Sequence, residues 1–196
     1  MSGLEQRYPR QIKLKDGLAD LDLLQDPSAK DIHEFAVALP NMDLLFLNRN
    51  IQEPKVLKAW RESIARGDIV SVVARRDGKV LGTTAVVMDK MSWSAHVGEL
   101  RVLILPEARE TGLGRELIQE SFLIGLAQGL EKLTVRMTLD QESAIAVFEE
   151  MGFKNEALFR DQVKDSHGDN HDLLIMSHNV AGFASQMQAY GMDEAF

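Results

Sequence analysis

The run Leu105-Pro106-Glu107-Ala108-Arg109-Glu110-Thr111-Gly112-Leu113-Gly114-Arg115-Glu116-Leu117 reads as a strand end, a glycine-containing turn and a helix start. Such a junction is suited to anions. The first N–H groups of a helix have no intrahelical partner, and the terminus carries about +0.5 of an elementary charge, so a phosphate there gains hydrogen bonds and field together. Glycine at 112 and 114 lets the backbone come close to a ligand. Arg109 and Arg115 add side-chain charge, so a local positive pocket is expected. A bare Gly-x-Gly also suits an ordinary strand-to-helix turn, and the neighbouring sequence has to decide between the two.

Upstream, a strand is expected from His96 to Leu105, with Leu100, Val102 and Ile104 on one face and Glu99, Arg101, Leu103 and Leu105 on the other. Before it, Ile69 to Arg76 and Lys79 to Met88 are β-rich and joined by Asp77-Gly78, a strong short hairpin signal. Two helices precede these strands. One spans Ser28 to Leu39, with Ile32, Phe35, Ala36 and Leu39 at helical spacing, and one runs from Pro54 to about Arg66, with Val56, Leu57, Trp60 and Ile64. Gln11 to Lys15 and Leu18 to Leu23 alternate apolar and polar around Asp16-Gly17, which predicts an opening hairpin. Downstream come a long helix from Gly112 to Gln128, a strand from Leu133 to Leu139, and a short helix from Gln141 to Met151 stopped by Gly152. Strands from Phe153 and over Asp172 to Ser177 close the order. The alternation predicts an α/β fold with a mixed sheet.

Composition bounds what such a fold can do. The 196 residues are 45% hydrophobic and 27% charged, with 5 Pro and 14 Gly, which excludes disordered and fibrous classes. Length and the lack of a linker or repeat predict one domain over residues 1–179, followed by a tail, 180–196, available for a dimer or lid contact. Lys plus Arg is 22 against 30 for Asp plus Glu, a net charge of −8, opposite to the footprint of a nucleic-acid binder. The absence of Cys excludes disulfides, zinc–thiolate sites, iron–sulfur clusters and a cysteine nucleophile. No apolar segment suggests a signal peptide or membrane span, so the cytoplasm is the expected location.

Arg109-x-x-Gly112-x-Gly114, after a strand ending Leu-Pro-Glu, resembles motif A (Gln/Arg-x-x-Gly-x-Gly/Ala) of the GNAT superfamily of acyl-CoA-dependent N-acyltransferases. Farther on, Gln141-x-x-Ala144-x-x-x-Phe148-Glu149-Glu150-Met151-Gly152-Phe153 is similar to that superfamily's second motif, Asn-x-x-Ala-x-x-x-Tyr-x-x-x-Gly-Phe, with the same spacing. The opening Leu14 to Asp31 and the closing Asp172 to Met176 are also similar to GNAT sequences, so the likeness reaches from residue 12 to residue 178. It implies a central, mixed, mostly antiparallel sheet flanked by helices, and acetyl-CoA as cosubstrate with no metal.

The resemblance also implies roles. The pyrophosphate would lie on the N–H groups of Glu110, Thr111, Gly112, Leu113, Gly114 and Arg115, with Arg109 as side-chain anchor. The pantetheine arm would pair with the backbone of Leu103, Ile104 and Leu105, where a bulge splays the strand from its neighbour, and the same amides could polarise the thioester carbonyl. Attack requires a neutral amine, so a base is sought. Glu99 is the candidate, with His96 as the alternative; a strand glutamate simply paired with a neighbouring cation stays open beside it. Phe148 stands where the family's tyrosine would protonate the departing thiolate, or is simply a core aromatic. Gln141 replaces an asparagine beside the cofactor.

Asp43, Asn48 and Arg49 fall where GNAT proteins place acceptor contacts. His167 to Asp172 reads as a hairpin tip rather than a metal site. Three functions follow: acetyl transfer to a primary amine of a small metabolite, of amino-acid or polyamine type; transfer to a protein lysine or N-terminus; or a non-catalytic acyl-CoA sensor.

Overall fold

The computed structural model describes residues 3–47 and 49–180. Eight strands form one sheet: β1 (Arg10–Leu14), β2 (Gly17–Leu23), β3 (Ile69–Arg76), β4 (Lys79–Met88), β5 (Val97–Ile104), β6 (Lys132–Thr138), β7 (Lys154–Lys164) and β8 (Asn170–Asn179). Their order is β1-β2-β3-β4-β5-β6-β8-β7. Only β5 and β6 run parallel, as expected for two strands connected by a crossover helix rather than a hairpin. The helices are α1 (Lys30–Ala38), α2 (Pro54–Ala65), α3 (Leu113–Ala127) and α4 (Glu142–Glu150).

The expected elements are present, with shifts at their ends. Asp77 and Gly78 both take left-handed conformations, the geometry a tight hairpin demands, and β3 and β4 end on either side of them. Leu139 is exposed beyond the end of β6 rather than inside it. His171 and Asp172 belong to β8, so the tip of the last hairpin is centred on Asp165 to Asp169 instead. The tail proposed as a dimer or lid contact lies outside the described residues beyond Val180.

Strand alternation sorts the two faces. β3 and β4 are buried on both, which requires cover on each side. On one face, α3 packs through Leu117 and the Ser121 hydroxyl, which is 2.6 Å from Thr84 Oγ1. α3 is apolar around most of its circumference, with Leu113, Leu117, Ile118, Phe122 and Ile124 all buried, as a helix covered on several sides should be. On the other face, Asp31 of α1 binds Arg75 at 2.8 Å and the Trp60 indole of α2 donates to Ser71 Oγ at 3.1 Å. Among the described residues no helix is long and apolar enough to cross a membrane.

Candidate active site

Two features meet at the C-terminal end of β5. β5 pairs with β6 from Val97 to Leu100 only, whereas its pairing with β4 continues to Ile104. A gap therefore opens between β5 and β6 beyond Leu100. No register shift interrupts the β4–β5 ladder, so the expected bulge is absent and divergence alone makes the gap.

Backbone alternation decides which groups face the gap. The Leu105 N–H donates to Leu81 O on the β4 side at 2.9 Å, and its carbonyl accepts from Ala108 N–H at 2.9 Å. Both main-chain groups of Leu105 are occupied, which corrects the expectation that it would bind a ligand's backbone-like arm. By the period of two, Leu103 turns to β4 with Leu105, while Val102 and Ile104 turn to the gap. Of the three residues named there, only Ile104 turns its main-chain groups to the gap, and Val102 does the same.

At the mouth of the gap lies the start of α3. Gly112 is left-handed, at φ 99°, as helix N-cap, a conformation costly for any residue with a Cβ. Gly114 suits the site for another reason: a Cβ there would sit 3.3 Å from Ile104 Cδ1, a tight contact, so the glycine lets the helix start close against the strand. The turn is braced by Thr111, whose hydroxyl donates to Ala108 O at 2.8 Å and whose carbonyl accepts from Lys15 N–H at 3.0 Å. Glu110 is also left-handed, at φ 61°.

The expected positive pocket is not what the side chains form. Arg109 pairs with Asp43, from the segment between α1 and α2, and also reaches Ile104 O at 3.4 Å. Arg115 pairs with Glu150 of α4. Each guanidinium already has a carboxylate, so the attraction this turn holds for an anion rests first on its N–H groups and helix terminus. Asp43 and Arg109, assigned from sequence to acceptor and cofactor respectively, contact one another. Asn48 lies outside the described residues.

In the second motif, Gln141 Oε1 accepts from Thr138 N–H at 3.1 Å and so braces the turn into α4. Phe148 is 4% exposed and stacks edge-on against Phe153, centroids 4.9 Å apart; it is a core aromatic. Burial weakens its expected place beside a cofactor.

Glu99 lies on the face of β5 opposite α3, with Arg101 and Leu103. Its Oε1 accepts from Arg101 Nε at 2.8 Å, and its Oε2 lies 3.1 Å from Arg136 Nη2. The paired-glutamate reading therefore has direct geometric support. Arg136 on β6 was not anticipated, because its approach depends on the β5–β6 pairing.

That face of β4 and β5, together with α2, lines an open-mouthed cavity of about 340 Å³, within the range of small-molecule sites. Val56, Ala59, Trp60 and Leu103 supply apolar walls, and Arg49, Arg66 and Arg101 supply cations. Of the residues expected to contact an acceptor, Arg49 is in this lining. In the sequence Trp60 is only part of a helical stripe; its second role appears once α2 is laid on the sheet. His96 precedes β5 and is not among the lining residues.

Away from the gap, His171 is a clasp. Its Nε2 is 3.1 Å from Asp165 and its Nδ1 2.9 Å from Asp140. The Asp165 hydrogen bond raises the imidazole above its ordinary pKa, with Asp140 assisting. Asp165 falls to about 2, chiefly through His171 and then through the Asp169 N–H. No group of metal-ligating side chains is assembled among the described residues.

A family model described as the acetyltransferase (GNAT) family matches residues 39–153. An IAA acetyltransferase of Azospirillum brasilense is 31% identical over 98 residues, which cover 50% of this chain and 63% of that protein, so the match spans less than two thirds of the relative. An N-acetyltransferase from Staphylococcus aureus Mu50 superposes with a TM-score of 0.72 at 18% identity, over 83% of this chain and 98% of that one. Spermidine N-acetyltransferase from Vibrio cholerae, in complex with CoA and spermine, gives 0.69 at 17% identity over 83% and 96%. yncA from Salmonella typhimurium, with its cofactor acetyl-CoA, gives 0.70 at 17% identity over 83% and 94%. At these identities the structural likenesses establish the fold.

Proposed function

This chain belongs to the GNAT acetyltransferase family, and from that premise we propose that it transfers acetyl from acetyl-CoA directly to the primary amine of a small metabolite. The carrying observation is the gap beyond Leu100 with the α3 turn at its mouth. An extended, amide-bearing arm fits between diverging strands, and a diphosphate fits the N–H groups at the helix start. The Gly112 to Arg115 turn would hold the diphosphate, with Arg109 exchanging Asp43 for it. Val102 and Ile104 would pair with the arm. Acetyl-CoA supplies the activated acyl group; the chain holds it, points a backbone donor at the carbonyl oxygen and shields the site from water.

The amine must arrive neutral. With both Glu99 oxygens engaged by guanidiniums, we assign Glu99 to positioning Arg101 and leave deprotonation to solvent. The rate then follows the fraction of unprotonated acceptor: kcat/KM should rise with pH until the amine's own pKa and move with that pKa from one acceptor to another. A profile pinned to one value for all acceptors would return the base role to a protein group.

Thiol release from acetyl-CoA in the presence of amines tests the activity, and calorimetry of Gly112→Asp tests the turn. A second carboxylate and left-handed strain at 112 should weaken acetyl-CoA binding by at least about tenfold, and an unchanged affinity in a folded variant would remove the turn from the site. One observation favours a second reading: Phe148 has no proton to give and both Glu99 oxygens are paired, so neither residue offers a free acid or base. A non-catalytic acyl-CoA sensor would bind acetyl-CoA tightly and release no thiol with amino acids, polyamines or lysine peptides.

A further inference from the structure

The cavity beside Leu103 has a charge pattern that selects among amines. Its lining combines apolar side chains with three arginines, Arg49, Arg66 and Arg101, and a single acid, Glu62. Arg66 is answered by Asp68 at 2.8 Å. Arg49 makes no ion pair among the described residues. Arg101 is answered in part: its Nε donates to Glu99, but Glu99 divides its charge between Arg101 and Arg136. Among the described residues no acceptor receives a hydrogen bond from either Arg101 Nη. The side chain is held on a strand and is 24% exposed, so this is a largely desolvated guanidinium paired through one edge only. Its two Nη groups form the edge that grips a carboxylate end-on. A polycation would meet three arginines here. An anion would meet an unfilled donor pair next to apolar walls in a protein of net charge −8.

We infer that the acceptor is a primary amine that also carries a carboxylate on an apolar body, an apolar amino acid in chemical class, with Arg101 binding the carboxylate and Trp60, Val56 and Leu103 bounding the side chain. This rests on the acetyl-transfer reading above. Glu99 is then a positioning residue that fixes the Arg101 fork by its Nε.

The full chain with acetyl-CoA is assayed against leucine and phenylalanine, their amides and spermidine. The amides keep the amine and the apolar body and lose the carboxylate. We expect kcat/KM for each acid to exceed that for its amide by at least about tenfold, since a donor pair left unfilled penalises the analogue that lacks its partner. Arg101→Gln should raise KM for the acids by about tenfold or more and leave the amides within about twofold, with acetyl-CoA affinity unchanged as the control for folding. Equal use of acid and amide, or preference for spermidine, overturns the inference. If no amine is acetylated, the transfer reading fails, and calorimetry of N-acetylleucine against N-acetylleucinamide on the CoA complex decides this one separately. Preference for the acid sustains it; equal or absent binding overturns it.

Discussion

Glu120 on α3 and Glu99 on β5 lie on opposite sides of the sheet, and each is held by two arginines. Glu120 is fully buried and accepts from Arg7, Arg10 and Tyr8. Burial pushes its pKa up, but those hydrogen bonds together outweigh burial, and the carboxyl ends below its ordinary value. Arg10 also meets a second carboxylate, Glu116, at 3.8 Å. Two cations and two anions close on one another there, and the result pins the segment before and at the start of β1 to α3. Around Glu99 the arithmetic differs: one carboxylate serves Arg101 and Arg136, and Arg101 borders a cavity instead of a second acid. The same pair of residue types makes a clamp where two carboxylates, one of them fully buried, answer two guanidiniums, and a recognition surface where one donor edge is left for something else to fill.

The largest effect that would break this contrast is on stability. Glu120→Gln leaves Arg7 and Arg10 without their shared anion and should cost about 2–4 kcal/mol, reduced from a fully buried pair because both arginines are partly exposed. For a chain of this size that lowers the midpoint of thermal unfolding by roughly 5–15 °C. Because the folded-state pKa is depressed, the clamp's contribution is present above the unfolded value near ~4.3 and is lost as pH falls through the folded one. An unchanged midpoint would show that the cluster is ornamental.

Glu99→Gln should change stability by less than about 1 kcal/mol, because Glu99 itself keeps some access to solvent whereas Glu120 has none. Its signature is kinetic. Loosening of Arg101 should raise KM for the true acceptor by about tenfold while the pH–rate profile keeps its shape, whereas a catalytic base would lose kcat and alter the profile.

The smallest effect sharpens the comparison at a third carboxylate, Asp165, in the partly exposed β7–β8 tip. His171 is raised, so its contribution is complete below about 6.5 and is lost as pH rises through its folded pKa; that of Asp165 is present above about 3.9 and fades toward about 2. The clasp is whole between those limits. NMR should place the His171 titration above that of an ordinary histidine, and His171→Asn should abolish a slight gain in thermal stability on going from pH 8 to 6. A normal His171 titration would refute the clasp.

The strand and helix sequence was legible because period, turn chemistry and stop residues are local: Asp77-Gly78 and Gly152 mark boundaries without reference to anything distant. The glycine turn before α3 was legible for the same reason. What was not legible depended on partners. Nothing local sets Glu120 apart from the other polar residues of α3, because its donors lie more than a hundred residues earlier in the chain. The orientation of Leu105 against Ile104 follows from a parity that is fixed only when Leu81 accepts the Leu105 N–H. The cavity draws on α2 and three strands, so no single stretch displays it.

The divergence of β5 from β6 also writes a pattern in time. Leu103 and Leu105 turn toward β4 and share its ladder, while Val102 and Ile104 face the opening. In deuterated water the amide hydrogens from Val102 to Leu105 should therefore exchange alternately quickly and slowly, residue by residue, because protection follows the hydrogen bond and not the depth of the side chain. A ligand arm that bonds to the open edge would slow the fast pair and leave the slow pair as it was. Strand β5 thus carries its own isotopic record of whether the gap is filled, legible in the unmodified protein and without any turnover.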